Sequence, residues 1–594
     1  MLAPDDRRTL LDQLRPPAGY QLDAAVGTTF TLDLTAALVP PLAFASFAIR
    51  STTDPVSVLE AVRSCTDRVD VFAQEGNVRA PSRYTALMAF LEPLLHEVVA
   101  PPGGLFHPKL WLMRFTADDQ DDVYRIVVLS RNLTNDHAWD LSLTLEGTRG
   151  SQRKAANRPL GSLITSLPSM ARQRLPAHRR HRVVQLGEDA LYIDWELPQG
   201  VDDLAFHVMG LDDVRAEPEF SGNRHLVMAP FLNDAGLRAL TSGTEDAVVV
   251  SRAGSLDLLA PETLRRFRST FIVSTVAGLD DGDATEDGVP APLLNDLHAK
   301  LIVVERGRRA HVFVGSANAT DAALTRNIEV LVELTGGKKT HGVATLLDPE
   351  SAFLGMLEPY DTEGGADPDP DTEAQWRLEN ALRDLASCGW VVSVQRSGDK
   401  YVLGLDTQNA ASIPPGMSAR VEPLAHPGKA CVIEAGRTRH GAIAGVPLVE
   451  VGPFLRLHIA DESCRAAACV VRAELRGDPE GRLDEILATQ IDTPEKFLQF
   501  LALLLGLGEA NPFTIAGPGD SGGGTANGSA PAPQVFETVV RALARSPESI
   551  DDLDRLVQRM LATEKGSAVL PPGFAEFWAT VMASRSQLSS EKTS

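Results

Sequence analysis

Two short motifs in this chain place a histidine and a lysine two positions apart. The first motif is His107-Pro-Lys109 and the second is His298-Ala-Lys300. Each motif opens an apolar run that is typical of a β-strand, and residues i and i+2 of a strand point to the same face of the sheet. We therefore expect each histidine to project together with its lysine.

A serine and an asparagine follow the next strand of each copy. They are Ser130 and Asn132 in the first half of the chain, and Ser316 and Asn318 in the second half, and a threonine stands two positions after each asparagine. Side chains that follow a neighbouring strand reach the same end of the sheet. Each half thus offers an imidazole, an ammonium group and an amide at one edge, and an approximate two-fold axis would bring the two sets face to face.

This set of side chains suits displacement at phosphorus. A neutral imidazole can attack phosphorus and form a covalent phosphohistidine, and a second, protonated imidazole can give its proton to the leaving oxygen. Lys109, Lys300 and the amides of Asn132 and Asn318 can hold the oxygens on which charge develops. The lysine pair supplies the positive charge, so we expect neither a metal ion nor another cofactor. Two histidines around one phosphate would titrate as a coupled pair.

The duplicated motif resembles that of the phospholipase D superfamily, over roughly residues 20–345. The second copy is the better match, since Gly315 precedes Ser316 and Asn327-Ile-Glu329 follows. The resemblance implies that Glu329 orients a histidine. It also implies that the histidine of the first copy is the nucleophile and that of the second copy the general acid. The first copy is similar to bacterial DNA-processing and helicase-associated members.

Three positions depart from the pattern of that superfamily. Arg114 and Glu305 stand where the family has an aspartate five residues after each lysine, and Leu129 stands where it has a glycine before the first serine. The aspartate is also lost in nuclease and DNA-end phosphodiesterase branches, so its absence disfavours a lipid substrate. Asp140 in the first copy stands near the position of Asn327, and we assign it only a supporting role.

The elements around the motifs predict an α/β fold. Apolar β-branched runs alternate with helical patterns up to about residue 350. The predicted strands are 69–73, 109–113, 125–129, 246–250, 300–304 and 311–314, and the predicted helices are 82–99 and 261–267. Because the same order of parts occurs twice, we expect two similar α/β lobes, phospholipase-D-like and related by a pseudo-two-fold axis. A β-rich module and a helical C-terminal region follow.

Composition shifts divide the chain further. An acidic stretch and a Gly/Ser/Pro/Ala-rich stretch read as linkers. The predicted units are a first lobe over 1–200, a second lobe over 201–360, an acidic linker over 361–375, a β-rich accessory module over 376–480, a helical segment over 481–514, a flexible linker over 515–534 and a helical segment over 535–594.

The overall composition excludes several classes of protein. Lys and Arg number 56 and Asp and Glu number 79, so the net charge is −23. A chain this acidic is not expected to coat nucleic acid over its whole surface. There is no P-loop motif, no long apolar run and no secretory signal, and five scattered cysteines form no metal-binding pattern. We therefore expect a cytoplasmic protein that does not enter the membrane.

One stretch departs from this acidic background. Five arginines occur between positions 172 and 182, so this stretch is the candidate contact for a phosphate backbone, with an inter-lobe linker as the alternative. We expect these arginines to face solvent. They are Arg172, Arg174, Arg179, Arg180 and Arg182.

The leading hypothesis is a metal-independent nuclease or phosphodiesterase, with DNA favoured over RNA. By resemblance, such bacterial proteins work in phage defence or DNA repair, beside a helicase or another defence-system protein. A phospholipid hydrolase or transferase is the second hypothesis. The third, from another class, is a non-catalytic scaffold that holds nucleic acid or partner proteins.

Overall fold

The fold is described from a computed structural model. It covers residues 10–41, 44, 66–81, 84, 86–134, 138–211, 218–244, 246–274, 296–480, 482, 554 and 573–591. The flexible linker predicted over 515–534 lies outside these residues, as do the predicted helical segment 481–514 apart from residue 482 and most of the segment 535–594.

The first His-x-Lys motif belongs to a mixed seven-stranded sheet. Its strands are rich in buried Val, Leu and Ile, as expected of a sheet covered on both faces. In spatial order they are β5 (Leu95–Val98), β3 (Val69–Gln74), β1 (Gln21–Thr29), β6 (Leu110–Ala117), β7 (Gln120–Leu129), β8 (Ser142–Arg149) and β9 (Ile193–Trp195).

The second motif belongs to a mixed eight-stranded sheet. In spatial order its strands are β17 (Leu357–Pro359), β13 (Ser269–Val273), β12 (Ala247–Ser251), β11 (Arg224–Met228), β14 (Leu301–Arg306), β15 (Arg309–Gly315), β16 (Glu329–Gly337) and β10 (Val201–Met209).

Seven strands of the two sheets correspond in order and in direction. In each sheet three neighbouring strands are parallel (β5, β3 and β1; β13, β12 and β11), and the next strands pair antiparallel. The strands that carry the motifs are β6 and β7 in the first sheet and β14 and β15 in the second. The long-period repeat of the sequence therefore has a counterpart in the strand order.

All six predicted strands lie in these sheets, but the helix predicted over 82–99 is wrong. A 3₁₀ helix spans Ala86–Leu91, and strand β5 begins at Leu95. Pro93 lies between them, and proline lacks the N–H that a helix interior needs. The helix predicted over 261–267 is the short helix Pro261–Leu264.

Helices pack beside the sheets and close their cores. Arg158–Met170 contributes Leu160, Leu163 and Ile164 to a core that also holds strand residues of both sheets. Among the described residues up to 360, the other α-helices are Leu10–Leu14, Leu34–Ala37, Ala177–Ala190, Asp234–Leu240, Ala253–Asp257, Asp321–Thr325, Lys338–His341, Val343–Leu346 and Ala352–Gly355.

The part after residue 360 begins with a long helix, and strands follow it. Helix Pro370–Ala386 begins inside the segment expected to be an acidic linker, and the Asp369 side chain caps it by accepting from the N–H of Asp371. Proline is well placed at the start of a helix because its missing N–H is not needed there.

The β-rich part forms two sheets. The first contains β22 (Arg439–Val446), β19 (Lys400–Thr407), β18 (Trp390–Ser397) and β25 (Glu474–Arg476). The second contains β2 (Leu32–Asp33), β4 (Val78–Arg79), β24 (Ala466–Arg472), β23 (Phe454–Asp461), β20 (Met417–Pro423) and β21 (Cys431–Ile433). Two short strands of the N-terminal part thus extend a sheet of the β-rich part.

The C-terminal helix Phe574–Glu591 packs on the N-terminal part of the chain. Phe574 and Trp578 are buried in one core cluster with Leu14 and Leu22. The last helix therefore shares a core with strand β1, which was not expected from a separate C-terminal segment. None of the helices in the described part of the chain is long and apolar enough to cross a membrane.

Candidate active site

Both His-x-Lys motifs lie where a strand begins, next to the end of its neighbour. Strand β6 starts directly after Lys109, and strand β14 starts directly after Lys300. The neighbouring strands β7 and β15 end directly before Ser130 and Ser316. We call His107, Lys109, Ser130 and Asn132 the first half-site, and His298, Lys300, Ser316 and Asn318 the second half-site.

Backbone hydrogen bonds between the two halves of the chain join the half-sites. The N–H of His107 donates to the carbonyl of Ile328 (2.9 Å), and the N–H of His298 donates to the carbonyl of Trp139 (2.7 Å). Glu329 and Asp140, which follow these acceptors, therefore take equivalent positions. The structure aligns Asp140 with Glu329, whereas the sequence placed it near Asn327.

The two serines hold equivalent backbone positions. The Oγ of Ser130 accepts from the N–H of Leu141 (2.7 Å), and the Oγ of Ser316 accepts from the N–H of Val330 (3.0 Å). Leu141 and Val330 directly follow Asp140 and Glu329 in the sequence. Ser316 also donates its hydroxyl proton to the Glu329 carboxylate. Each serine thus helps to fix the segment that carries the acidic residue.

Glu329 contacts the histidine of the other half-site. The Nδ1 atom of His107 lies 2.8 Å from Oε2 of Glu329, which is completely buried. Burial lowers the pKa of His107 to about 4, although the Glu329 carboxylate acts in the opposite direction. The ring is therefore neutral at neutral pH. Its Nδ1–H donates to the carboxylate, and Nε2 carries the lone pair of a nucleophile.

The two lysines are among the most deeply buried charges of the chain. Lys109 is 2% exposed and Lys300 4% exposed. Each Nζ donates to the carbonyl of its own histidine, at 3.1 Å for Lys109 and 2.9 Å for Lys300, and Lys300 also donates to the carbonyl of Ser130 (3.2 Å). The latter bond links the two half-sites a further time.

Burial shifts the pKa of both lysines. It lowers the pKa of Lys109 well below its usual value and that of Lys300 to about 7, against the attraction of Glu329 in both cases. An anion that binds beside a buried lysine stabilises the charged ammonium form, because the anion supplies an opposite charge where water does not reach. The lysine pair is thus suited to hold a phosphate group.

The two asparagines differ in their contacts. The Oδ1 atom of Asn132 accepts from the N–H of Thr31 (3.3 Å). Among the described residues, the Oδ1 atom of Asn318 is buried with no hydrogen-bond partner. Thr320, two positions after Asn318, caps the helix Asp321–Thr325 by accepting from the N–H of Ala323. The threonine of this motif therefore fixes the loop that presents the asparagine.

Residues that the sequence analysis did not single out hold the segments before the two histidines. The Oε1 atom of Gln74 accepts from the N–H of Phe106 (2.7 Å), and Nη2 of Arg252 donates to the carbonyl of Leu297 (2.9 Å). Gln74 ends strand β3, and Arg252 follows the equivalent strand β12. An alignment of the two repeats beyond their motifs would have paired these positions.

The surroundings of His298 are more polar than those of His107. Asp296 lies 4.0 Å from the Nε2 of His298 and forms an ion pair with Arg252. Asp140, the equivalent of Glu329, forms an ion pair with Arg131 (3.5 Å). In the described part of the chain, no group of three or more His, Cys, Asp or Glu residues could hold a metal ion.

The basic stretch between residues 172 and 182 does not form the expected solvent-facing cluster. Arg179 is 1% exposed and donates to Asp70 and Asp67. Arg182 also donates to Asp70, and Arg172 forms two hydrogen bonds with Glu75. The expectation of solvent exposure is therefore wrong for Arg179. Arg174 and Arg180 are the two members of this set that are exposed.

Asp70 is the centre of this buried network. Burial opposes its charge, but the hydrogen bond from His96 and the charges of Arg182 and Arg179 lower its pKa to about 2. Because the partners of the arginines are carboxylates on and around strand β3, these side chains tie helix Ala177–Ala190 to the first sheet.

This arrangement predicts a stability effect at Arg179. Replacing Arg179 by Ala removes one of the three donors to the buried Asp70 carboxylate. It also takes the Arg179 donor away from the carbonyls of Val69 and Thr66. We expect the free energy of unfolding to fall by about 3 kcal/mol and the Tm by roughly 2–4 °C, because the transition entropy of a unit this large is high. Arg180→Ala is the matched control, since an exposed neighbour should change stability by less than about 0.5 kcal/mol. Thermal unfolding followed by circular dichroism measures both, and equal Tm values would contradict a structural role.

This chain is similar to the solved structures of several known proteins. No protein-family model matches the chain, and no curated protein matches it. A structure of yeast tyrosyl-DNA phosphodiesterase matches with a TM-score of 0.36 and 12% identity over 55% of this chain and 85% of that chain. A structure of polyphosphate kinase from Porphyromonas gingivalis matches with a TM-score of 0.31 and 12% identity over 63% of this chain and 50% of that chain. Similarity at this level is weak and a fold alone does not determine function, so the function of this chain has to follow from the chemistry of its site.

Proposed function

We propose that this protein is a metal-independent phosphodiesterase that acts on nucleic acid, with DNA as the favoured substrate. The observation that carries the proposal is the contact between His107 and Glu329. It leaves a neutral imidazole whose Nε2 can attack phosphorus, and two buried lysines complete the site.

The reaction proceeds in two displacements. In the first, Nε2 of His107 attacks phosphorus, the bond from phosphorus to the leaving oxygen breaks, and His298 gives a proton to that oxygen. In the second, water gives a proton to His298 and attacks phosphorus, and the phosphorus–nitrogen bond breaks. Both histidines are then restored. Glu329 acts as a positioning residue that fixes the tautomer of His107.

The lysines and asparagines stabilise the charge that develops on the phosphoryl oxygens. An ammonium group has three N–H donors, so Lys109 and Lys300 can bond their histidine carbonyls and still reach an oxygen of the substrate. The amides of Asn132 and Asn318 can add neutral donors. Preorganised donors in a buried site are worth more than the same donors in water.

Within the basic stretch, we propose a contact to the nucleic-acid backbone only for Arg174 and Arg180, because these two arginines are exposed. A phage-defence or DNA-repair role and a helicase partner rest on the motif resemblance and stay predictions. A phospholipid substrate is the second candidate function, and the arginine and glutamate at positions 114 and 305, where lipid-cleaving relatives carry aspartate, disfavour it.

Hydrolysis should not need a divalent metal. We expect the purified chain to cleave labelled single-stranded DNA at the same rate in EDTA as in Mg²⁺, because the positive charge comes from the two lysines. RNA and phosphatidylcholine, incubated in parallel, report the substrate class. Cleavage that stops in EDTA and returns with Mg²⁺ would contradict the mechanism, and cleavage of phosphatidylcholine alone would replace the nucleic-acid substrate by a lipid.

A further inference from the structure

One aromatic side chain beside the second half-site is half exposed. Phe231 follows strand β11 and is 49% exposed. Its carbonyl accepts from the N–H of Ala319 (3.1 Å), the residue after Asn318. The backbone of Phe231 is thus fixed to the loop that carries Asn318, although its ring is not part of the core.

A guanidinium group is held over this ring. The Cζ atom of Arg252 lies 4.5 Å from the ring centroid of Phe231. Arg252 also forms an ion pair with Asp296 (2.6 Å) and donates to the carbonyl of Leu297, directly before His298. The pair of Phe231 and Arg252 is therefore held in place next to the general acid, and the ring still keeps half of its surface open.

The first half-site has no such pair at the equivalent positions. The pairing of the strands shows which positions are equivalent. On strand β1, Thr28 pairs with Phe72 and Leu110. On the equivalent strand β11, Met228 pairs with Val250 and Leu301. Counting onward from this register, Thr31 corresponds to Phe231, and Gln74 corresponds to Arg252. The exposed aromatic–cation pair is thus a difference between two otherwise equivalent halves.

The aromatic ring of the first half-site has another role. Phe30 packs edge-on against His107, at 5.0 Å between ring centroids, and Lys109 lies 5.9 Å from the same ring. This ring covers the nucleophile and its lysine, whereas Phe231 lies open to a ligand.

We propose that Phe231 and Arg252 form a stacking subsite for the nucleobase on the leaving-group side of the cleaved phosphodiester. The inference rests on the proposed function, because His298 protonates the leaving oxygen and the group next to His298 is then the leaving nucleoside. An aromatic face accepts any base by stacking, and an arginine beside it adds a cation–π contribution. The subsite predicts binding without base specificity.

The test compares Phe231→Ala with the wild type on a dinucleoside monophosphate and on its two analogues that lack one base. Stacking on an aromatic side chain is worth about 1–3 kcal/mol per base, or roughly 5- to 150-fold. We expect Phe231→Ala to lower kcat/KM by such a factor for the parent compound and for the analogue that keeps the leaving-side base. The analogue without that base should be cleaved equally by both proteins. Phe231→Trp should restore the wild-type values.

A matched control and a binding assay separate this inference from the proposed function. Trp376 on helix Pro370–Ala386 is 60% exposed, and Trp376→Ala should change nothing. The affinity for a single-stranded oligonucleotide containing 2-aminopurine is measured for the same variants. Binding that weakens in Phe231→Ala without any cleavage by the wild type would support the subsite and overturn the proposed function. Cleavage and binding that are unchanged in Phe231→Ala would overturn the subsite alone, and a wild type that neither binds nor cleaves would overturn both.

Discussion

Replacing His107 by Ala, or His298 by Ala, should reduce phosphodiester hydrolysis by about 10⁴- to 10⁶-fold, the scale seen when a nucleophile or its acid–base partner is removed from a hydrolase. The two losses should not be additive, because both residues serve one reaction path. In the proposed mechanism we assign His107 as the nucleophile because its ring is neutral and its Nδ1 is bonded to Glu329. His298 should be needed twice, as acid and then as base.

A substrate with a p-nitrophenyl leaving group separates the two roles. Its phenolate leaves without a proton, so His298→Ala should still undergo the first displacement and release one equivalent of p-nitrophenolate per active site. The phosphohistidine should then accumulate, because His298 is missing as the base for water. His107→Ala should give no burst. Rapid-mixing absorbance and acid-labile phosphate on the protein measure this.

The control for these variants is His207→Gln. His207 lies on strand β10 and bonds to Glu333, in the same sheet as the second half-site. It should keep wild-type activity. A burst in His107→Ala and none in His298→Ala would reverse the two assignments, and full activity in either variant would contradict a histidine mechanism.

The sequence was sufficient to predict the parts of the site that depend on local order. The alternation along a strand places Lys109 beside His107 and Lys300 beside His298, and both lysines do donate to the carbonyls of those histidines. The strands were predictable because their β-branched and apolar runs are short and bounded by polar turns. The repeat of these parts predicted that two half-sites exist.

The contacts between the two halves of the chain could not be predicted from local sequence order. Glu329 and His107 are 222 positions apart, and the register that joins them is set by the bridge between Phe106 and Ile328. A local pattern cannot tell which histidine a distant carboxylate will meet. The same limit explains the different position of Asp140. Its spacing in the sequence matches that of Asn327, whereas the backbone hydrogen bonds of the structure make it equivalent to Glu329.

The burial of arginines in the basic stretch was not predictable for a related reason. Arginines in an acidic chain were expected to face solvent, but Arg179 meets Asp70 across 109 positions, and Arg172 meets Glu75 across 97. Charged groups are rarely buried unless they are paired, and the fold decides which groups pair at such separations. A run of like charges in the sequence therefore did not predict a charged surface.

Lys300 should control the alkaline side of the pH profile. The residue is buried, and burial lowers its pKa to about 7. Because the ammonium form holds the phosphate, kcat/KM of the wild type should fall as the pH rises through about 7. On the acid side, kcat/KM should rise as His107 loses its proton, at a pH of about 4. A bound phosphate dianion or diester favours the ammonium form, so the alkaline limb of kcat should lie at higher pH than that of kcat/KM.

Two variants of Lys300 test this argument. Lys300→Met should lower kcat by about 10²- to 10³-fold at pH values below the alkaline limb of the wild type, the usual cost of one lost donor to a developing oxyanion. Lys300→Arg keeps the charge to high pH, since guanidinium groups stay protonated above pH 12, so its remaining activity should extend to more alkaline pH than that of the wild type. Lys339→Met, on the helix Lys338–His341 and exposed, is the control that should leave the profile unchanged. The arginine variant is the decisive one, and an alkaline limb that stays near pH 7 in Lys300→Arg would contradict control by Lys300.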